Sequence, residues 1–409
     1  MSLAQIWDKL PSPPKVGPFK EGAFRSRLHD ERTAAILGIS LAVTFTTCFA
    51  TGLYSHEIAH PASWFTPFAR PAGLFRLTQG VHIATGLASV PLLFAKLWTV
   101  FPKLFAWPPF KSVAQAVERL FLLPLIGGAL FLMYSGVNNI NGRYPYGKFS
   151  FPEAHFWAAW ITIGSLIVHV GAKIGTTRTA LRRGHVAHIA TPTVAPVIAS
   201  TATSAVAPSV TGVMTRRGFI GTVFGTSGLV TLFTVGQTFA PLRKFALLAP
   251  RRPDTGPQGF PVNDTAIHAG IKRVDLSTYR LKVRGVGVRT QEFSIAELRA
   301  LGLHEAELPI ACVEGWSTSQ RWRGVALRDL LDHVGAPKHA AVTLRSIQNS
   351  TYGYSNLTPG VARDPDTLLA MEVNGEELHI DHGFPIRLMA PNTPGERQTK
   401  WLNEVVVRA

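Results

Sequence analysis

Five stretches of the chain are apolar with little periodic relief, at about residues 33–55, 79–101, 118–138, 154–174 and 219–240. Each is close to the ~20 residues that a helix needs to cross the hydrocarbon of a bilayer, so five membrane helices are predicted. Pro91 and Pro124 fall inside two of them, which membrane helices tolerate because neighbouring groups re-satisfy the freed carbonyls. Beyond about residue 240 the pattern changes. The run Tyr279-Arg280-Leu281-Lys282-Val283-Arg284-Gly285-Val286 alternates with period two, as a half-buried strand does, and short helices are expected near residues 294–301 and 325–334. The expected fold class is an all-α transmembrane bundle, four helices plus one anchor helix, followed by a soluble α+β domain. About 170 residues are ample for one core there.

The expected bounds are 1–178 for the four-helix domain, 179–214 for a flexible cytoplasmic linker rich in Ala, Thr, Val, Ser and Pro, 215–240 for the anchor and 241–409 for the soluble domain. Residues 1–32 are polar and Pro-rich, so no cleavable signal peptide is expected.

Charge orients these spans. Lys9, Lys15, Lys20, Arg25, Arg27 and Arg32 precede the first, and Lys173, Arg178, Arg182, Arg183, Arg216 and Arg217 follow the fourth, whereas the loops 56–78 and 139–153 hold two basic residues each. The positive-inside rule then puts the amino terminus in the cytoplasm and the carboxyl-terminal domain outside a plasma membrane. The net charge of +16 is largely this topology signal, and nucleic acid is not an expected partner. Thr215-Arg216-Arg217-Gly218-Phe219-Ile220, ahead of the fifth span, resembles an internal twin-arginine export signal, which implies the export machinery as a partner. Gly221 and Gly225 offer that span a small-residue packing face.

The chain has two cysteines. Cys48 lies within the first apolar span, so a disulfide with Cys312 is not expected. Cys312 ends a short apolar run in Ala311-Cys312-Val313-Glu314-Gly315-Trp316-Ser317, where a thiol can be a soft-metal ligand, a nucleophile or an inert core residue. Further on come Asp381-His382-Gly383-Phe384-Pro385-Ile386-Arg387-Leu388 and Gly395-Glu396-Arg397-Gln398-Thr399-Lys400-Trp401-Leu402. Arg387, Arg397 and Lys400 supply cations suited to a dense anion, and the apolar neighbours of Arg387 predict that it is partly buried.

In this order the three blocks resemble the molybdopterin-binding domain of the sulfite oxidase family, over about residues 255–409. The resemblance implies Cys312 as the thiolate ligand to molybdenum, with His382, Arg387 and the Gln398-Thr399-Lys400 run at the pterin. It also implies Asn263 at the cofactor and Tyr352 or Tyr354 bordering the substrate. Cys-Val-Glu-x-Trp-Ser is more similar to the methionine sulfoxide reductase catalytic subunits. The few residues after Trp401 leave no room for the immunoglobulin-like domain of true sulfite oxidases, which favours a reductase-like member.

Histidines mark the first four spans. His155 and His169 are 14 residues apart on the fourth, which places them on one face and roughly 21 Å apart along a helix axis. His82 opens the second span level with His155, and His29 precedes the first nearer the level of His169. The natural pairs are His82 with His155 and His29 with His169, each able to hold a haem b; if His29 is only interfacial, one haem remains. The pattern over about residues 25–175 resembles the four-helix cytochrome b subunits of formate dehydrogenases and nickel hydrogenases. His56-Glu57-Ile58-Ala59-His60 matches a zinc-protease pattern, but Pro61 ends any helix there, so a zinc site is not expected. His56 or His60 instead faces water, or competes with His82 for iron.

These readings converge on a membrane-bound molybdenum oxidoreductase that exchanges electrons with the quinone pool. Reduction of a small S-oxide or N-oxide is the expected direction. Oxidation of sulfite, or a haem conduit or sensor without molybdenum, are the alternatives.

Overall fold

The computed structural model describes residues 17–19, 24, 26–106, 112–143, 145–146, 149–186 and 214–409. Lys9, Lys15, Lys20, Arg25 and most of the expected linker lie outside the described residues.

Five long helices form: α1 (Glu31–Ala59), α2 (Leu74–Leu104), α3 (Val113–Ile140), α4 (Phe151–Val186) and α5 (Arg216–Val235). Each is long and apolar enough to cross a membrane. Leu123, Trp157, Ile161 and Ile167 stand 59–71% exposed on them, a surface that is costly in water. Two ends depart from the sequence expectation. α4 continues to Val186, well past 174, because Gly175–Arg183 contains no proline to stop it. α5 stops at Val235 rather than near 240: the chain turns at Gly236, where a Cβ would lie 2.3 Å from the Leu242 carbonyl oxygen.

The chain divides into two compact units. The first comprises Met1–Thr46, Gly86–Ser135 and Pro152–Val230, with Leu37, Leu41, Leu92, Leu93, Ala129 and Val223 at its core. Gly128 lets α3 meet α4, since a methyl there would sit 2.2 Å from Thr162 Oγ1. α5 packs through Val223 and Phe219. Gly221 and Gly225, the expected packing face, have nothing within 4 Å of an added Cβ among the described residues, because the bulky side of the helix carries the contact. At the start of α5 the Thr215 hydroxyl accepts from the Gly218 amide, and Arg216 pairs with Asp30 at 3.3 Å.

The second unit comprises Thr47–Thr85, Gly136–Phe151 and Thr231–Ala409. Compactness therefore crosses the boundary expected at 241. The ends of α1, α2 and α3 fold with the carboxyl-terminal domain because they bond to it directly. Asn392 accepts from the Phe75 amide at 2.7 Å and donates to the Phe68 carbonyl at 2.9 Å and to Tyr54 at 3.2 Å.

That domain holds two sheets. One has the order β2-β1-β10-β5-β6, built from β1 (Leu281–Gly285), β2 (Val288–Phe293), β5 (Val342–Ser346), β6 (Tyr354–Leu357) and β10 (Leu402–Val407). Only the β10–β1 pair in it is parallel. The other runs β8-β7-β4-β3, from β3 (His304–Ala311), β4 (Ser317–Ala326), β7 (Leu368–Val373) and β8 (Glu376–Glu377), with β9 (Arg387–Met389) also on β7. The period-two run is realised in β1, where Leu281 and Val283 are fully buried. Two short helices form close to their expected places, Ile295–Ala300, closed by a Ser294/Glu297 capping box, and Leu327–His333. Leu281, Leu298, Leu327, Leu330, Leu344, Ile386 and Leu402 centre one core; Phe260, Trp316, Trp322 and Cys312 belong to a second.

Candidate active site

Cys312 follows the last residue of β3 and opens a tight loop into β4. The Cys312 amide donates to the Trp316 carbonyl and the Gly315 amide to the Cys312 carbonyl, both at 2.9 Å. Gly315 closes the loop at φ 92°, a conformation that favours glycine. The sulfur is 1% exposed, yet two N–H groups are aimed at it: Asn263 Nδ2 at 2.8 Å and the Glu314 amide at 3.3 Å. Burial pushes the thiol pKa far up, the Glu314 carboxylate adds to this, and the two donors oppose it. Donors convergent on a sulfur that burial would keep protonated form a cradle for a thiolate whose charge a cation neutralises. A metal ion supplies that cation and deprotonates the thiol outright.

A second cluster lies on the turn and strand around β9. Arg387 is 4% exposed, donates to the carbonyls of His382 (3.1 Å) and Gln398 (3.2 Å), and lies 5.2 Å over the Trp322 ring. Its Nε is buried without a partner among the described residues. Lys400 Nζ donates to the carbonyls of Asp381, at 3.0 Å, and Asp264. His382 stacks on Phe260 at 3.7 Å, its Nε2 bonded to the Pro257 carbonyl at 2.7 Å. Gly383 permits this approach, because a Cβ there would lie 3.0 Å from the Cβ atoms of both Arg387 and Lys400.

Carbonyl dipoles do not balance the buried Arg387 charge, and among the described residues neither it nor the partly buried Lys400, on which the Asp264 and Asp381 charges act, forms a salt bridge. Burial lowers Arg387 to about 9. Burial and then the Arg387 charge lower Lys400 to about 7, and burial brings His382 to about 3. The cluster fits a bound anion such as a pterin phosphate, which would restore the charged forms.

The other expected residues go elsewhere. Arg397 donates from Nε to the Ala59 carbonyl at 3.1 Å and bonds His60 Nδ1 through Nη2 at 3.0 Å, with its guanidinium 5.8 Å from the Tyr354 ring. It serves the end of α1 rather than the Arg387 cluster, because the three-residue turn Gly395–Arg397 points it away. Gln398 and Thr399 are buried: Gln398 Nε2 bonds the carbonyls of Pro309 and Ala390, and Thr399 bonds Ser355. Tyr352 is half exposed; burial raises its pKa, followed by the negative charges of Glu396 and Cys312. Tyr354 begins β6 and is 42% exposed.

Two residues at Cys312 escaped the sequence reading. Glu314 is 2% exposed, ion-paired to Arg251 at 2.7 Å and bonded to Trp316 Nε1 at 3.3 Å. Its place two residues after the cysteine was the available signal. Glu396, its side chain 16% exposed, has its carboxyl pKa raised by partial burial against the opposing effect of Arg397, and the Glu396 charge acts on both Cys312 and Tyr352.

The four candidate haem histidines are held differently. In the first unit, His155 Nδ1 bonds Ser135 Oγ at 2.8 Å, and His29 Nδ1 bonds the Thr99 carbonyl at 3.1 Å beside the Trp98 ring. His169 Nδ1 is buried without a hydrogen-bond partner among the described residues. In the second unit, His82 Nδ1 bonds the Cys48 carbonyl at 2.8 Å, and a Cβ on Gly52 would meet the His82 ring at 2.7 Å. A proton held on Nδ1 by a carbonyl leaves the lone pair on Nε2, the arrangement that orients an axial ligand. His60 of the zinc-protease pattern turns to Arg397, while Glu57 accepts from the Ala62 amide at 3.0 Å. No group of three metal-binding side chains occurs among the described residues.

Residues 268–409 match the family model of the oxidoreductase molybdopterin binding domain. Sulfite oxidase of Gallus gallus is 36% identical over 173 residues, which cover 35% of this chain and 38% of that protein. A protein of Azospira oryzae described as a protein-methionine-sulfoxide reductase subunit, YedZ1, is 29% identical over 148 residues, covering 36% of this chain and 56% of that one. The sulfane dehydrogenase SoxCD of Paracoccus pantotrophus aligns in structure over 34% of this chain and 40% of that chain, at 21% identity and a TM-score of 0.31. The matched segments span from well under half to just over half of these proteins' lengths. The carboxyl-terminal domain is thus similar, over residues 268–409, to oxidoreductase molybdopterin-binding domains such as that of sulfite oxidase. The chain's amino-terminal region adds five apolar helices.

Proposed function

We propose that this protein is a membrane-bound molybdenum oxidoreductase that passes electrons between an extracytoplasmic substrate and the quinone pool through haem b. The observation that carries it is the convergence of Asn263 Nδ2 and the Glu314 amide on the buried Cys312 sulfur, within a domain that also buries Arg387 without a carboxylate partner. Cys312 would bind the metal; Arg387, Lys400 and His382 would hold the pterin phosphate. When bound, the group supplies two-electron oxygen-atom transfer.

The chain's own residues do the rest. The 312–316 loop fixes the sulfur, and the Glu314–Arg251 pair keeps a carboxylate charged beside it. Glu396 and Tyr352 supply ionisable groups whose charges act on the same centre, and Trp316 and Phe260 exclude water from the packing around Cys312. His29 and His169 of the first unit would hold haem b, and His82 and His155 are each candidate axial ligands in their own units. The positive-inside charge pattern and the Arg216-Arg217 pair support an exported carboxyl-terminal domain, carried out folded by the twin-arginine machinery and anchored by α5.

The favoured reaction is reduction of a small S-oxide or N-oxide, which the Cys-Val-Glu-x-Trp-Ser block and the likeness to the YedZ1 protein support. Sulfite-type oxidation is the second reading, favoured by the likeness to avian sulfite oxidase. Metal analysis and a reduced-minus-oxidised haem spectrum of the purified native protein and of Cys312→Ser test the proposal. The native protein should contain molybdenum and haem, and the variant haem alone. Native protein with haem and no molybdenum would establish a conduit or sensor instead. Dimethyl sulfoxide with quinol, against sulfite with quinone, then decides direction.

A further inference from the structure

The loop that carries Cys312 is bonded to the helical segments of its own unit at every turn. Gln79 of α2 and Asn139 of α3 both donate to the Val313 carbonyl, at 3.3 and 2.8 Å, using both lone pairs of one oxygen. Thr238 Oγ1 donates to the Gly315 carbonyl, and the Ser317 amide donates to the Gln237 carbonyl at 2.8 Å. Gly315 is pressed so closely onto α2 that a Cβ would lie 2.4 Å from Ile83 Cδ1 and 2.9 Å from Gln237 Nε2. Ile83 is the neighbour of His82, and Gln79 lies one helical turn before it. His82 is itself fixed from α1 by the Cys48 carbonyl and by the absence of a side chain at Gly52.

We infer that this clamp is a fixed electron path between the metal held by Cys312 and the haem held by His82. Gln79 and Asn139 act in it as positioning residues. The inference rests on the proposed function and deepens it. In each step one electron leaves one centre and enters the other, twice per turnover and with no bond made or broken in the path. For substrate reduction, haem iron is oxidised and the molybdenum reduced; for substrate oxidation, the reverse. Because Val313 is bonded to Gln79 of α2 and Gly315 lies against Ile83 in the resting fold, the clamp itself requires no swing of a domain.

The test uses the full-length protein, loaded with both cofactors, in detergent or nanodiscs. Transient absorbance after flash reduction of the haem reads the intramolecular transfer rate as glycerol raises the viscosity. A flat rate is expected, and a rate falling in proportion to viscosity overturns the path. A Gln79→Leu/Asn139→Leu double variant should keep its molybdenum and haem and slow the transfer at least tenfold, with partial recovery when Asn139 is restored. Unchanged transfer in a fully loaded double variant also overturns it. In the metal-free protein, hydrogen exchange across residues 312–317 should quicken in the double variant. Unchanged exchange there shows that these side chains do not hold the loop and counts against the inference. Preparations lacking either cofactor sink the underlying function, whereas full loading with viscosity-limited transfer sinks the path alone.

Discussion

Two arginine sites of the second unit are built in opposite ways. Arg70 is half exposed and fully answered: its Nε and Nη2 fork onto Asp364 at 2.8 and 2.7 Å, and Nη2 also reaches Asp366 at 2.6 Å. Arg387 is buried and answered by two carbonyls and the face of the Trp322 ring, with no carboxylate. Hydrogen bonds to the two aspartates raise the Arg70 pKa beyond its ordinary range, while burial brings Arg387 down. The first is a finished structural tie between the segment after α1 and the β domain. The second is stable only if something anionic arrives, and a protein does not bury such a cation for stability's sake. An arginine's burial without a carboxylate, rather than its charge, marks the binding site.

The largest expected effect comes from removing both cations of the cluster together. Arg387→Met/Lys400→Met should lower molybdopterin retention by at least about tenfold per lost charged contact, read by fluorescence of the oxidised pterin. The same variant's apo form should unfold at higher denaturant than native apo protein, since the buried Arg387 charge, which has no carboxylate partner, is gone. Lower apo stability would break the comparison.

Acidity tests it without mutation. Lys400 is lowered to about 7 from 10.5 and His382 to about 3 from 6.5, so the unfolded chain binds more protons than the folded one inside each interval. The stability of the apo domain should therefore rise with pH from about 3 to 6.5 as His382 loses its proton in the unfolded chain. It should rise again from about 7 to 10.5 for Lys400, each by up to about 5 kcal/mol. Bound cofactor restores the Lys400 charge and should flatten the upper rise, which thermal melts of apo and loaded protein across pH would show.

Smaller effects belong to the answered site. Arg70→Ala leaves Asp364, 8% exposed, without its partner and should cost about 1–2 kcal/mol, discounted because the arginine is half in water, with molybdopterin content unchanged. Arg397→Gln should be smaller still, within about 1 kcal/mol and without loss of pterin, because its bonds go to Ala59 and His60. Loss of pterin from Arg397→Gln would return that residue to the cofactor.

Parts of this were readable in one dimension. The apolar spans, the period-two run at β1 and the blocks around Cys312 and His382 are local patterns, and local geometry follows from them. The basic cluster was only half readable. Arg387 and Lys400 lie close in sequence to Arg397, but the turn at Gly395–Arg397 separates their directions, and charge alone does not encode direction. An acidic residue in a loop is ordinarily solvated, so no local pattern encodes the burial of Glu314 or the partial burial of Glu396; only packing decides them.

By itself the sequence determined five long apolar helices, a strand-rich carboxyl-terminal domain and a cysteine at a strand end. Side-chain periodicity and run length depend only on near neighbours. Only the tertiary structure decided that Asn263 reaches the Cys312 sulfur from 49 residues away, that Arg387 goes without a carboxylate, and that Gln79 and Asn139 grip one carbonyl of the cysteine loop. Each of these depends on segments remote in the chain being packed to within a hydrogen bond, which no local pattern specifies.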